Sequence, residues 1–279
     1  MAPQETIAQV ERETITALDG ASALVERHGR LSPTRRARLD RLLRDLRGSV
    51  ARPAVLALAG EFNSGKSTLS NRLSGIDALP TDLFANTSVP TRLHWADALQ
   101  VACLTAGGRR VELTPKAALI DEPLVRIDVG APVPFLRDIE LIDLPGLADP
   151  DAARDEADIV ASRADGVIWC TPVTQAWKES ENAVWSRLPL RLKRRTVVAL
   201  TFRDLVVDDG QIERVRARLQ RDAGPFRAIV AVSGAGDDPV GRDELYAACR
   251  DLAVDMKLDR MVKATRFSER ILRRLSSAG

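Results

Sequence analysis

The chain has 279 residues, 45% of them hydrophobic, so it can bury the core of one large α/β domain with some additional helices. Its 41 basic and 39 acidic residues leave a formal net charge of +2, which argues against a dedicated nucleic-acid-binding protein. The sequence contains no signal-peptide-like start and no run of 18 apolar residues, and its three widely spaced cysteines are typical of reduced core thiols. We therefore expect a cytoplasmic protein with no nucleic-acid partner.

The two ends of the chain carry helical patterns. In residues 1–50, apolar residues recur at helical spacing between positions 7 and 25, and Ser32 with Pro33 provides a cap and first turn for a second helix. In residues 242–279, an apolar stripe returns between positions 245 and 275. These stripes have no other evident partner, so we predict that the two ends pack together as a short helical bundle.

The central residues, 51–241, alternate apolar strand candidates with amphipathic helices. This alternation predicts an α/β fold with a doubly wound, mostly parallel sheet. The strand candidates are residues 55–59, 139–143, 167–170, 197–201 and 228–233. A hairpin around Gly107 and Gly108 interrupts the pattern, and we expect residues 125–129 to run antiparallel beside strand 139–143.

Residues 55–69, VLALAGEFNSGKSTL, predict a buried strand, a glycine-rich turn and the start of a helix. The spacing GxxxxGK[ST] is that of a P-loop, whose backbone N–H groups wrap a polyphosphate while the lysine and the hydroxyl meet the phosphates and Mg²⁺. An ordinary strand-to-helix turn would need neither two glycines nor this lysine. The predicted nucleotide-binding residues here are Gly60, Ser64, Gly65, Lys66, Ser67 and Thr68. We therefore predict a P-loop NTPase that uses Mg²⁺.

A carboxylate follows the strand candidate 139–143. Asp143 ends this strand and precedes Leu-Pro-Gly, so it should emerge at the carboxyl edge of the sheet beside the phosphates. Alone, the sequence DLPG also fits a plain turn. Paired with the P-loop, it predicts that Asp143 holds Mg²⁺ through a water and that the Gly146 N–H senses the γ-phosphate.

A long loop rich in threonine and proline, residues 79–93, lies between these motifs. It lacks periodicity, which is typical of a loop whose hydroxyl joins Mg²⁺ only when the γ-phosphate is present. Thr87 is the candidate for that hydroxyl, and Ser88 is the alternative.

Together, the segments GEFNSGKSTLSNRL, LPTDLFANTSVPT and LIDLPG resemble the dynamin superfamily of large GTPases, particularly its bacterial members. Residues 171–181, TPVTQAWKESE, are also similar to that family. The resemblance spans roughly residues 55–233. It implies a GTPase, and it places the switch threonine of the family on Thr87. Because only residues 242–279 follow the last strand, we expect a short form without the long helical stalk.

The base-recognition motif departs from the usual pattern. Thr201 opens the sequence TFRD, where GTPases of this kind carry [NT]KxD. Asp204 would accept two hydrogen bonds that guanine supplies and adenine does not. Phe202 replaces the usual lysine and would stack on the base instead, and a helix cap or turn is the alternative role for Asp204. Ser233 and Gly234 resemble the short loop whose backbone N–H groups contact the guanine oxygen.

Catalysis must differ from that of Ras-like GTPases, because Leu147 stands where those enzymes hold a glutamine. The resemblance implies a cation-assisted reaction in which Asn63 directs a K⁺ or Na⁺ ion to the bridge between the β- and γ-phosphates. Structural support of the P-loop is the alternative role for Asn63. Together with Asn63, the predicted catalytic residues are Lys66, Thr87 and Gly146.

We therefore expect a dynamin-like GTPase that forms GDP and phosphate, linked to membrane binding or remodelling. The resemblance implies a nucleotide-dependent homodimer or a second dynamin-like chain as partner. The basic residues of the C-terminal helix would contact an anionic membrane peripherally, and a solvated helix face is the alternative. A competing hypothesis is a nucleotide-dependent switch with slow or no hydrolysis. The near-neutral charge disfavours a translation-type GTPase.

Overall fold

The computed structural model describes residues 3–75, 89–113, 122–144, 160–233 and 241–276. The chain divides into two compact units, a helical unit (Met1–Arg52 with Ala253–Gly279) and a sheet unit (Pro53–Leu252). The C-terminal division therefore falls between positions 252 and 253, inside a helix, whereas the sequence pattern placed a boundary after residue 241.

The helical unit contains α1 (Pro3–Arg27), α2 (Pro33–Ala51) and the C-terminal part of a long helix, Arg242–Ser276. The Ser32 hydroxyl caps α2 by accepting a hydrogen bond from the Arg35 backbone N–H at 3.4 Å. Residues from all three helices, together with Leu31 from the connection between α1 and α2, form one buried apolar core: Leu18, Ala21, Val25, Leu31, Leu43, Val50, Met261, Ala264, Ile271 and Leu275. The predicted bundle is confirmed. The first part of the C-terminal stripe does not join it, since Leu245 and Cys249 are buried residues of the sheet unit.

The described residues of the sheet unit include nine strands. They are β1 (Ala54–Ala59), β2 (Thr91–Trp95), β3 (Gln100–Thr105), β4 (Arg110–Glu112), β5 (Leu124–Ala131), β6 (Ile139–Asp143), β7 (Gly166–Pro172), β8 (Thr196–Thr201) and β9 (Ala228–Ala231). They form one sheet in the order β4-β3-β5-β2-β6-β1-β7-β8-β9. Neighbours from β6 to β9 are all parallel, so the predicted α/β fold with a mostly parallel sheet is confirmed.

Helices accompany the sheet. They are α3 (Lys66–Ser74), α4 (Phe135–Asp138), α5 (Glu179–Arg187), α6 (Leu190–Lys193), α7 (Asp209–Asp222) and α8 (Arg242–Ser276). Trp169 of β7 is fully buried, and its ring lies 5.7 Å from that of Trp185 on α5. This contact belongs to an apolar core that also includes Leu219 of α7. Among the described residues, no helix is long and apolar enough to cross a bilayer.

The antiparallel part of the sheet corrects one expectation. The hairpin of β3 and β4 forms as predicted, but β5 does not lie beside β6. Instead β2 lies between them, parallel to β5 and antiparallel to β6. The sequence pattern did not identify β2, because Leu93 is its only fully buried residue and Arg92 is charged. In the sheet, Arg92 pairs with Glu140 of β6, with Nη2 2.7 Å from Oε1, a bond between residues 48 positions apart.

Candidate functional site

The loop that joins β1 to α3, residues 60–65, lies at the carboxyl edge of the sheet and depends on two glycines. Gly60 has φ +135°, and a Cβ at this position would lie 2.1 Å from the Cys170 carbonyl oxygen. Gly65 has φ +85° and immediately precedes α3. Any larger residue would clash at Gly60 and be strained at Gly65. Asn63 also has a left-handed φ of 60°, which asparagine tolerates better than most residues.

Lys66 is buried against this loop. Its Nζ donates hydrogen bonds to the carbonyl oxygens of Gly60 at 2.7 Å and Glu61 at 2.6 Å. Ser67 and Thr68 are exposed in the first turn of α3, where helical N–H groups lack intrahelical partners and favour an anion. The structure therefore brings a fixed ammonium group, exposed hydroxyls and the start of a helix to one loop.

Asp143 lies at the end of β6, paired in register with Leu58 of β1. Its Oδ1 is buried without a hydrogen-bond partner among the described residues, and so is the Ser64 hydroxyl. Burial raises the pKa of Asp143 to about 6, although the charge of Lys66 opposes this rise. A buried carboxylate oxygen without a hydrogen-bond partner is costly, and a divalent cation would offset that cost. Asp143 and the Ser67 hydroxyl are oxygen donors of the kind that Mg²⁺ prefers, so the site fits this ion.

Three predicted site residues, Thr87, Gly146 and Gly234, lie outside the described residues, as does the alternative Ser88. Their roles stay predictions.

The residues predicted to recognise the base lie together after β8. Thr201 ends this strand, and its Oγ1 donates a hydrogen bond of 2.7 Å to the Ser64 carbonyl oxygen, which ties β8 to the phosphate loop. Asp204 follows in a short turn, and its Oδ1 accepts a hydrogen bond from the Ser233 hydroxyl at 3.0 Å. Phe202 between them has a left-handed φ of 58°.

A cavity of about 190 Å³, partly open to solvent, lies between the end of the phosphate loop and Thr201, Phe202 and Ser233. It is lined by Gly65, Thr68, Leu69, Arg72, Thr201, Phe202, Val232 and Ser233. Leu69, Arg72 and Val232 were not identified from the sequence as walls of a site. Only the position of Arg72, one turn after Thr68 on α3, could have suggested its place. The lining of the cavity is mainly apolar with a few hydroxyl groups, which is typical of a small-molecule site.

Comparison with known proteins agrees with this geometry. The model of the dynamin family matches residues 56–203. Dynamin-like protein 2 of Campylobacter jejuni is 30% identical over 175 residues, which cover 60% of this chain and 28% of that protein. The isoniazid-induced protein IniC of Mycobacterium tuberculosis is 29% identical over 177 residues, which cover 60% of this chain and 34% of that protein. The matches thus span about a third of the length of these relatives.

Among solved structures, a chain of an oligomerised bacterial dynamin pair has a similar fold. The pair is described as providing a mechanism for the long-range sensing and tethering of membranes. The match has a TM-score of 0.60 and 21% identity, and it covers 91% of this chain and 42% of that chain. At this identity the likeness shows the fold alone. The family model, by contrast, covers more than half of the sequence, including the phosphate loop, Asp143 and Thr201, and the chain therefore belongs to the dynamin family.

Proposed function

We propose that this protein binds GTP with Mg²⁺ and hydrolyses it to GDP and phosphate. The observation that carries the proposal is the buried Oδ1 of Asp143, which has no hydrogen-bond partner among the described residues and lies at the sheet edge that also presents the glycine loop. Membership of a GTPase family supports the same conclusion.

The phosphate end of the site would act mainly by positioning and charge. Backbone N–H groups of residues 60–65 and of the first turn of α3 would bind the phosphate oxygens. Lys66 is held by two neutral carbonyl oxygens, so charged phosphate oxygens would compete for its N–H groups with stronger hydrogen bonds. Ser67 and Asp143 would hold Mg²⁺, with Thr87 completing the set. When bound, Mg²⁺ neutralises charge on the β- and γ-phosphates.

At the base end, Asp204 would accept hydrogen bonds from guanine N1–H and the 2-amino group. The Ser233 hydroxyl orients this carboxylate, and Gly234 would add a backbone N–H for the guanine oxygen. The half-buried Phe202 ring lines the cavity and offers a face on which the base would stack. A site built around Asp204 would discriminate against adenine, which lacks that pair of donors.

In hydrolysis, a water oxygen bonds to the γ-phosphorus, the bond from that phosphorus to the β–γ bridging oxygen breaks, and a proton is released. Lys66 and the loop N–H groups would stabilise the charge that develops. We propose that the exposed Asn63 side chain holds a K⁺ or Na⁺ ion, which would offset charge at the bridge, while the Gly146 N–H contacts the γ-phosphate.

We further propose that the protein works as a nucleotide-dependent homodimer, or with a second dynamin-like chain, at an anionic membrane surface. Apolar side chains near the nucleotide site support an assembly face, since Phe62, Leu205 and Val207 are 66%, 65% and 100% exposed. The fold is also similar to that of a bacterial dynamin pair that is an oligomer. We propose a cytoplasmic location with peripheral membrane contact.

A second candidate is a nucleotide-dependent switch that turns GTP over slowly or not at all. The substitution of Leu147 for a water-orienting glutamine favours it.

Phosphate release from GTP and from ATP, with Mg²⁺ and with or without anionic liposomes, separates these functions. We expect release from GTP only, increased by liposomes. GTP binding without phosphate release would support the switch, and equal release from ATP would contradict guanine recognition.

A further inference from the structure

The Glu61 side chain links the phosphate loop to the segment that follows β7. Its Oε2 accepts a hydrogen bond from Lys178 Nζ at 2.7 Å, and its Oε1 accepts one from the Ser180 hydroxyl. Lys178 is 44% exposed and Glu61 is 17% exposed. A pair this accessible contributes little to overall stability. We therefore consider what the two charges of this pair do beside the phosphate loop.

The segment on the other side of this pair is anchored in the core by Glu181. The Glu181 side chain is fully buried. Its carboxylate accepts hydrogen bonds from Trp169 Nε1 at 2.8 Å, from the Thr171 hydroxyl at 3.0 Å and from the Lys178 backbone N–H at 2.9 Å. A buried carboxylate with three donors holds its neighbours in one arrangement. The backbone of Lys178 is thus fixed beside the phosphate loop.

Glu61 also contacts the cation of the nucleotide site. Its carbonyl oxygen accepts the 2.6 Å hydrogen bond from Lys66 Nζ. Continuous contacts therefore run from the buried Glu181, through Lys178 and Glu61, to the ammonium group that would meet the phosphates.

The charge of Glu61 is unfavourable for a site that binds a polyphosphate. Its carboxylate forms an ion pair with Lys178 Nζ at 2.7 Å, and a glutamate in such a pair is charged at neutral pH. It would repel a triphosphate unless a cation stayed beside it.

We propose that Lys178 is a positioning residue of the nucleotide site, which holds and neutralises Glu61 so that the loop and Lys66 can receive a polyphosphate. This inference rests on the proposed binding of GTP. It assigns a role to residues 171–181 within one chain: they keep a carboxylate of the loop from repelling the nucleotide.

The test compares the affinity of a fluorescent GTP analogue for wild type, Lys178→Met, Glu61→Gln and the double variant, all with Mg²⁺. We expect Lys178→Met to weaken binding about tenfold, the scale of one unpaired charge about 10 Å from a polyphosphate. Glu61→Gln keeps an acceptor for Ser180 but carries no charge. In the double variant it should restore affinity to within about threefold of wild type, because the repulsion is gone.

Two controls remove a charge elsewhere. Lys263→Met changes an exposed lysine in the helical unit, and Glu179→Gln changes an exposed glutamate within the anchored segment. Both should bind like wild type. The loss of affinity in Lys178→Met should also become smaller at high ionic strength, whereas a loss caused by a purely structural defect should not.

Several results would overturn the inference. If Lys178→Met bound as tightly as wild type, the neutralising role would be wrong. If the double variant stayed as weak as Lys178→Met, Lys178 would act on the nucleotide directly or by folding, not through Glu61. If wild type failed to bind the analogue at all, the proposed function and this inference would both fall.

Discussion

Without nucleotide, the Asp143→Asn variant is expected to become more stable relative to wild type as the pH rises. Burial raises the pKa of this carboxyl from 3.8 to about 6 in the folded protein. Between about pH 4 and pH 6, the folded protein therefore binds more protons at this site than the unfolded chain does, and it loses stability as the pH increases. Asparagine does not ionise, so the variant lacks this loss.

The size of the effect follows from the shift. The difference between 3.8 and about 6 corresponds to about 3 kcal/mol of unfolding free energy once both states are ionised. Of this amount, about 2 kcal/mol develops between pH 4.5 and pH 8. The difference in unfolding free energy between variant and wild type should thus change by about 2 kcal/mol in favour of the variant over this range. Comparing two pH values cancels any pH-independent change in unfolding free energy that the asparagine amide causes at this position.

The assay is urea unfolding followed by tryptophan fluorescence, without nucleotide and with a chelator, at several pH values. Asp138→Asn, an exposed change five positions earlier, is the control for the loss of a carboxylate at the surface. The same Asp143→Asn protein should bind GTP more weakly in Mg²⁺, because it has lost a ligand of the ion. A stability difference that stays constant from pH 4.5 to pH 8 would refute the reasoning about the buried charge.

Three further predictions concern other parts of the chain. Asp204→Asn should lose its preference for GTP and gain affinity for xanthosine triphosphate in a competition assay, whereas an unchanged preference would leave Asp204 as a turn residue. In urea titrations, Leu43→Ala should lower the unfolding free energy by about 2–5 kcal/mol and Leu42→Ala by less than about 1 kcal/mol. The reason is that Leu43 is 2% exposed and Leu42 is 39% exposed. Equal losses of unfolding free energy would contradict the observed bundle. GTP turnover by wild type should be slower in the chloride of a bulky organic cation than in KCl or NaCl, and turnover by Asn63→Ala should not depend on the cation. Equal wild-type rates in these three salts would exclude a role for a monovalent ion.

The parts of the fold that the sequence predicted are those that local patterns determine. The apolar run of β1 identifies a strand buried on both faces, and the glycine spacing after it defines a loop whose backbone only glycine allows at Gly60. Asp143 was predictable because its strand ends at the same sheet edge as that loop.

The missed features depend on contacts between distant residues. Strand β2 has little apolar periodicity, and its place beside β6 becomes evident only when Arg92 meets Glu140. Likewise, Lys178 lies 117 positions from Glu61. Glu61 occupies a variable position of the phosphate-loop motif, so the motif does not predict this pair. Such charge pairs form only when the folded sheet brings distant residues together.

Calorimetric titration shows directly whether the glycine loop, Lys66 and Asp143 form a site for GTP. GTP and ATP are each titrated with Mg²⁺ into wild type and into Lys66→Ala, whose folding is verified by circular dichroism. We predict that wild type binds GTP and not ATP, and that the folded Lys66→Ala protein loses tight GTP binding because the ammonium that would face the β- and γ-phosphates is gone. Equal GTP affinity in wild type and in the folded variant would contradict this prediction.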